Sequence, residues 1–169
     1  PKNPEYIKLN TNESPYPPSD GVLSAVSAES AKLNLYSDPD CIELRNCIAE
    51  QYGVNSENVI TANGSDEILS FVFQAFGGRG AVFPDITYGF YPVFSKLYGI
   101  KYEEKPLKAD FSVDINDYKN AERMIVIANP NAPTGLMLSL SEIGEIAAEN
   151  KNSVVVIDEA YVDFGAESA

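Results

Sequence analysis

Val154-Val155-Val156-Ile157-Asp158-Glu159-Ala160-Tyr161 is the stretch on which the reading of this chain turns. Four β-branched apolar residues in succession predict a strand buried on both faces, the pattern of a central parallel strand. The run ends in a carboxylate, Asp158. In open α/β sheets the carboxyl ends of the strands are where ligands bind. A buried carboxylate without a partner costs several kcal/mol, so Asp158 is expected to face a cation, a metal or a ring N–H.

Two kinds of site share this signature. In P-loop ATPases the strand-end carboxylate serves magnesium, and G-x-x-x-x-G-K-[ST] stands upstream. No Gly-Lys dipeptide occurs here, which excludes that site. In pyridoxal phosphate (PLP) sites an aspartate keeps the pyridine nitrogen protonated, so that the ring can act as an electron sink. The ordinary alternative is a carboxylate that merely caps a loop or a helix. The neighbouring segments decide between these.

Working outward from Asp158, Ser139-x-x-Glu142 is a capping box opening a helix to about Asn150. Before it, Arg123–Ala128 predicts a second buried strand, and Asn129-Pro130-Asn131-Ala132-Pro133-Thr134-Gly135 is its end. Two X-Pro bonds within five residues impose an extended, rigid path suited to presenting amide groups. Lys101–Pro106 predicts another strand, and residues 109–122 are polar, with a short helix from Asp114. Thr87 is the expected N-cap of a helix ending near Tyr98-Gly99. Tyr88 then sits at the mouth of the strand ends, either stacked on a flat ligand or packed as core.

Gly77-Gly78-Arg79-Gly80 precedes the strand Ala81–Pro84. A dinucleotide loop must follow a strand, so this one is only a turn. Val59-Ile60-Thr61 predicts a short strand, Asn63-Gly64-Ser65-Asp66-Glu67 a turn, and Ile68–Phe76 a helix buried on most sides. A strand, a glycine turn and a helix N-terminus make an anion site from free N–H groups. Plain capping by Ser65, with Asp66 and Glu67 complementing the dipole, explains the same residues.

Residues 1–20 are rich in Pro, Asn and Ser and read as an extended arm, either bland surface or folded over a site with Asn12 and Tyr16 toward ligand. A helix over about 20–31 and a turn at Leu35–Asp40 follow. Asp40-x-x-Glu43 predicts a capping box for a helix carrying Cys41, Leu44, Ile48 and Tyr52, closed by Gly53. From residue 59 onward strands and helices alternate, which predicts an α/β fold with a mainly parallel sheet.

Composition narrows the function. With 169 residues, 44% hydrophobic and 22% charged, the chain can bury a real core. Its net charge of −13 argues against nucleic acid and anionic membrane surfaces as partners. There is no histidine, which excludes a Ser-His-Asp triad and a Cys/His zinc site; no metal is expected. Cys41 and Cys47 are expected to be free thiols in a reducing compartment. No apolar run approaches the roughly 18 residues of a membrane span, and no signal peptide is expected.

Taken together, Asn10–Tyr16, Tyr36-Ser37-Asp38-Pro39, Asn63–Glu67, Thr87-Tyr88, Asn129–Gly135 and Asp158-Glu159-Ala160-Tyr161 resemble, in this order, the fold-type I PLP-dependent aminotransferases. Within that family they look most like the histidinol-phosphate aminotransferase branch. The resemblance implies a three-layer α/β sandwich: residues 1–34 as arm and short helix, 35–169 as part of the large PLP-binding domain, and a small C-terminal domain absent from this chain. It implies amino transfer between L-histidinol phosphate and 2-oxoglutarate in histidine biosynthesis, by a cytoplasmic homodimer. A related PLP aminotransferase or a phosphothreonine decarboxylase is the near alternative, and a non-catalytic domain acting by association the distant one.

The roles implied by the resemblance are these. Backbone N–H groups of Ser65 and Asp66 hold the PLP phosphate, and Tyr88 stacks on the ring. Asp158 pairs with the pyridinium nitrogen and Tyr161 with the ring O3′. Tyr36 reaches the phosphate in a second subunit, and Asn12 and Tyr16 border the substrate. Two departures stand out. Where the family places an amide ligand to O3′, this chain has Ala132, with Asn131 the nearest substitute. The family's cofactor-bearing lysine lies on a later strand, whereas the last lysine here is Lys151. The chain is therefore expected to be the N-terminal half of the enzyme, inactive by itself.

Overall fold

The computed structural model of the chain describes residues 7–8, 10–165 and 167–169. The first six residues of the expected arm and Leu9 lie outside the described residues. The chain divides into two compact units, Pro1–Val59 and Ile60–Ala169.

The N-terminal unit contains α1 (Asp20–Ser30) and α2 (Ile42–Tyr52). No residue of α1 is buried, and Ala49 is the buried residue of α2. Gly53 closes α2 in the left-handed conformation, as its position predicts. The start of α2 differs from expectation. Asp38, not Asp40, supplies the cap: its Oδ2 accepts from Ile42 N at 2.8 Å and its Oδ1 from Asp40 N at 3.0 Å. Cys41 precedes the helix in a left-handed conformation, and both cysteines are free. Arg45 ties this helix to the following turn by donating to the Ser56 carbonyl at 2.7 Å.

The C-terminal unit is built on four parallel strands, β1 (Ala81–Pro84), β2 (Tyr102–Lys105), β3 (Met124–Ala128) and β4 (Val155–Asp158), in the order β2-β1-β3-β4. Around them run α3 (Gly64–Phe76), α4 (Tyr91–Leu97) and α5 (Leu140–Glu149). Strand alternation sorts the side chains onto two faces. Ala81, Phe83, Met124, Val126 and Ala128 meet Leu69 and Phe73 of α3 and Tyr91 and Phe94 of α4. Val82, Ile125 and Ile127 meet Ile143 and Ile146 of α5, with Tyr118 and Leu138. The result is three layers, helices, sheet and helix, as the alternation of elements predicts. Each fully buried aliphatic or aromatic side chain here contributes about 1.5–3 kcal/mol. That is why these short strands hold.

The capping box of α5 forms as read: Ser139 Oγ accepts from Glu142 N at 3.3 Å, and Glu142 Oε2 from Ser139 N at 2.8 Å. Four expectations do not hold. Val59-Ile60-Thr61 forms no strand, and Ile60 is left 76% exposed. α3 is amphipathic rather than buried on most sides: Leu69 and Phe73 face the core while Phe71 and Phe76 are half-exposed. β4 pairs only with β3 among the described strands, and its residues are half-buried rather than central. Finally, Phe90 rather than Thr87 occupies the N-cap position of α4.

Candidate active site

The carboxyl ends of β3 and β4 face the N-terminal turn of α3 across a cleft of ≈ 240 Å³. Ser65, Asp66, Tyr88, Asp158 and Tyr161 all line it, with Ala132 and Pro130 of the loop after β3. Five residues singled out from three stretches of sequence thus converge on one place.

Each is positioned by a distinct piece of backbone. Asp158 is the last residue of β4, paired with Ala128 of β3, and its carbonyl accepts from Asn129 N at 2.9 Å. Its side chain is held at both oxygens: Oδ1 accepts from Ala160 N at 3.2 Å and Oδ2 from the Tyr91 hydroxyl at 2.8 Å. Ser65 and Asp66 lie in the first turn of α3, where main-chain N–H groups have no partner within the helix. Glu67 completes the turn by accepting from Asn63 N at 2.8 Å. The amide cluster and the positive end of the helix dipole therefore face the cleft.

Tyr88 stands between these groups. Its hydroxyl donates to Asp66 Oδ1 at 2.8 Å, and its ring stacks on Phe90 at 5.6 Å with 16° between planes. Partial burial, then the bond to Asp66, push its phenol up to about 12. The edge of Tyr91 meets the same ring at 5.7 Å and 76°. Tyr161 follows the strand end and packs its ring near Phe164, 6.4 Å away.

Asn131 is placed differently. It is buried, but its Nδ2 donates to the Ile86 carbonyl at 2.9 Å and to Thr134 Oγ1 at 3.2 Å, and it does not line the cleft. Its neighbour Ala132 does. Asn131 thus braces the loop from behind. Tyr36, Tyr16 and Asn12 belong to the N-terminal unit. There Tyr36 and Tyr16 are exposed, the Tyr16 N–H donating to Ser14 Oγ at 3.2 Å, and Asn12 has φ 49°.

Sequence reasoning passed over two residues. Tyr91 reads as one more core aromatic, yet its buried hydroxyl requires a partner and finds it in Asp158. Asn129 reads as a loop residue. In the structure it is 1% exposed, accepting from Leu138 N at 2.7 Å and donating to the Leu138 carbonyl at 3.3 Å. A polar residue directly after a fully apolar strand was the available signal for Asn129. Among the described residues no cluster of His, Cys, Asp and Glu could hold a metal ion, and no helix is long and apolar enough to cross a membrane.

Comparison with known proteins identifies the family of the chain. A histidinol-phosphate aminotransferase of Brachyspira hyodysenteriae is 54% identical over 173 residues, covering 100% of this chain and 49% of its own length. One from Clostridium botulinum (strain 657) is 53% identical over 172 residues, with the same coverage of each. The chain thus spans about half the length of the curated relatives it matches. The crystal structure of histidinol-phosphate aminotransferase from Sinorhizobium meliloti, in complex with pyridoxal-5'-phosphate, superposes with a TM-score of 0.84 at 23% identity, over 90% of this chain and 44% of that one. That likeness speaks to the fold. The sequence profile of aminotransferase class I and II matches residues 4–169. The chain belongs to the aminotransferase class I and II family.

Proposed function

We propose that the whole protein is a PLP-dependent aminotransferase passing an amino group between L-histidinol phosphate and 2-oxoglutarate. The observation that carries this reading is the cleft itself, where the Asp158 carboxylate faces a helix N-terminus with a flat aromatic ring beside them. The identity to curated histidinol-phosphate aminotransferases across the full chain supports the choice of substrate.

The donor set fits PLP. First-turn N–H groups of Ser65 and Asp66 suit a phosphate dianion, and a carboxylate fixed at both oxygens suits a ring N–H⁺. Bound there, PLP supplies a sink for the electron pair developed at the substrate carbon. Asp158 would hold the ring nitrogen's proton by accepting its N–H. Tyr88 walls the cleft on one side and excludes water from that face. By tying up Asp66 Oδ1 it also turns that carboxylate toward itself and away from the phosphate seat. Tyr161 offers a phenol to the ring oxygen. Asn131 acts indirectly, by bracing the loop that presents Pro130 and Ala132.

In this reading residues 1–34 form an arm and short helix, and residues 35–169 form part of the large PLP-binding domain of a cytoplasmic homodimer. The free thiols favour a reducing compartment. The exposed Tyr36 serves a second subunit, while Asn12 and Tyr16 border the substrate. The test is direct. The purified whole protein, supplied with PLP, L-histidinol phosphate and 2-oxoglutarate, is expected to form glutamate at enzymatic rates. Failure to form glutamate, together with carbon dioxide release from phosphothreonine, would assign it to the decarboxylases instead.

A further inference from the structure

We infer that Tyr91 is a positioning residue for the Asp158 carboxylate, fixing the plane in which Asp158 meets a ring nitrogen. The inference rests on the reading of the cleft as a PLP site and deepens it. Tyr91 touches neither cofactor nor substrate in this account and is not among the residues lining the cleft.

The geometry is that of a strut. Tyr91 opens α4 and is fully buried. Three aromatic neighbours confine its ring: Phe83 at 5.7 Å, Tyr88 at 5.7 Å and Phe73 at 6.3 Å. From that enclosed position its hydroxyl crosses from the helix layer to the end of β4 and donates to Asp158 Oδ2 at 2.8 Å. The other oxygen is held from the loop side by Ala160 N at 3.2 Å. Two bonds from two different elements leave the carboxylate no free rotation about its last torsion. A group whose orientation is set by packed core is organised before any ligand arrives, and its alignment costs nothing at the moment of reaction.

Chemistry points the same way. A phenol donating to an ionised carboxylate makes a charge-assisted bond that favours the ionised form. Burial, and next the Asp158 charge, push the Tyr91 phenol well above its ordinary value, so it remains a donor throughout neutral and moderately alkaline pH. The titratable groups facing that hydroxyl are Asp158 on β4 and Tyr88 in the loop before α4. Neither is cationic, so no charged donor competes with Tyr91 for Asp158; the uncharged Thr87 hydroxyl also lies within reach of the phenol.

Tyr91→Phe keeps the ring and its aromatic contacts and removes only the donor. Losing one bond to a charged group corresponds to about a 10- to 100-fold fall in kcat. KM for the amino donor is expected to change less than about threefold, because the lost interaction acts on the transition state. In whole protein carrying PLP labelled with 15N at the ring nitrogen, that resonance is expected to move toward the unprotonated position. A purely packing role would leave it unchanged. Should Tyr91→Phe not fold, replacing Tyr91 with 3,5-difluorotyrosine retains shape and hydroxyl while making the phenol more acidic. A stronger donor to Asp158 is then expected to move the 15N resonance further toward the protonated position. Tyr91→Phe with kcat within twofold and an unmoved 15N signal, or a difluorotyrosine protein with an unmoved 15N signal, would overturn the inference. Asp158→Asn separates the two levels. If it abolishes kcat and shifts the resonance while Tyr91→Phe does neither, only the role of Tyr91 falls. If Asp158→Asn also does neither, the reading of the cleft falls first.

Discussion

Replacing Asn129 with alanine probes what holds the loop at the carboxyl end of β3, and its magnitude follows from the structure. The Asn129 amide sits 1% exposed and satisfies both main-chain groups of Leu138, accepting from the N–H at 2.7 Å and donating to the carbonyl at 3.3 Å. Leu138 is itself buried, so water does not readily take over either bond. A buried donor left unpaired costs about 1–3 kcal/mol, and the longer bond to the carbonyl adds about 1 kcal/mol more. Asn129→Ala is therefore expected to lower unfolding free energy by about 3 kcal/mol, or about 6–12 °C in Tm for a chain of this size. The assay is urea unfolding followed by far-UV circular dichroism and tyrosine fluorescence, with an unchanged m-value. A loss below about 0.5 kcal/mol would mean that the loop is not held by this amide, and that the position of Pro130 and Ala132 in the cleft has another cause.

Other expectations follow from the same packing. Gly80→Ala should destabilise by more than about 2 kcal/mol, since Gly80 has φ +103° and an added Cβ would meet the Lys101 carbonyl oxygen at 2.9 Å; a Tm within a degree or two of the parent would refute this. Raising pH should weaken the fold through Tyr88. Its phenol moves from the ordinary 10.0 to about 12, so the stability it contributes is fully present below pH 10 and is lost as pH climbs toward 12. Tyr88→Phe should flatten part of that fall, leaving the share due to Tyr91 and Tyr118, which shift in the same direction; identical pH curves would exclude it. In the whole protein, Asp158→Ala should cost far more in kcat than in PLP affinity, and a variant with near-normal kcat at saturating PLP would contradict the assigned role.

Much of this fold could be read from sequence where local pattern and tertiary context agree. The apolar run in β3 is buried throughout, and the capping box at Ser139 forms as its spacing dictates. Asp158 was legible because a charge at the end of an apolar strand has few bland explanations. Where tertiary context decides, the sequence is silent. Val154–Ile157 looks the same whether a strand has one neighbour or two. Val59–Thr61 has strand composition but finds no partner. Asp38 and Asp40 are both plausible caps, and only the path of the turn selects Asp38. The engagement of Asn131 with Ile86, 45 residues away along the chain, and of Tyr91 with Asp158, 67 away, could not be read from spacing. Both depend on how α4 and the loop after β3 lie across the strand ends.

The all-parallel strand order carries a consequence for how the chain acquires its structure in time. β1 pairs with β2 and with β3, and β4 joins β3 last, through Ile125 to Val155 and onward to Ala128 and Asp158. None of these pairings is a hairpin, so each must close a long loop before its contacts reward it. A nascent chain emerges N-terminus first. Tyr91 and Asn129 therefore leave the ribosome before the strand whose last residue they hold in place. The cleft gains its carboxylate only when β4 docks, and a chain arrested before β4 would display the phosphate seat with no carboxylate opposite it.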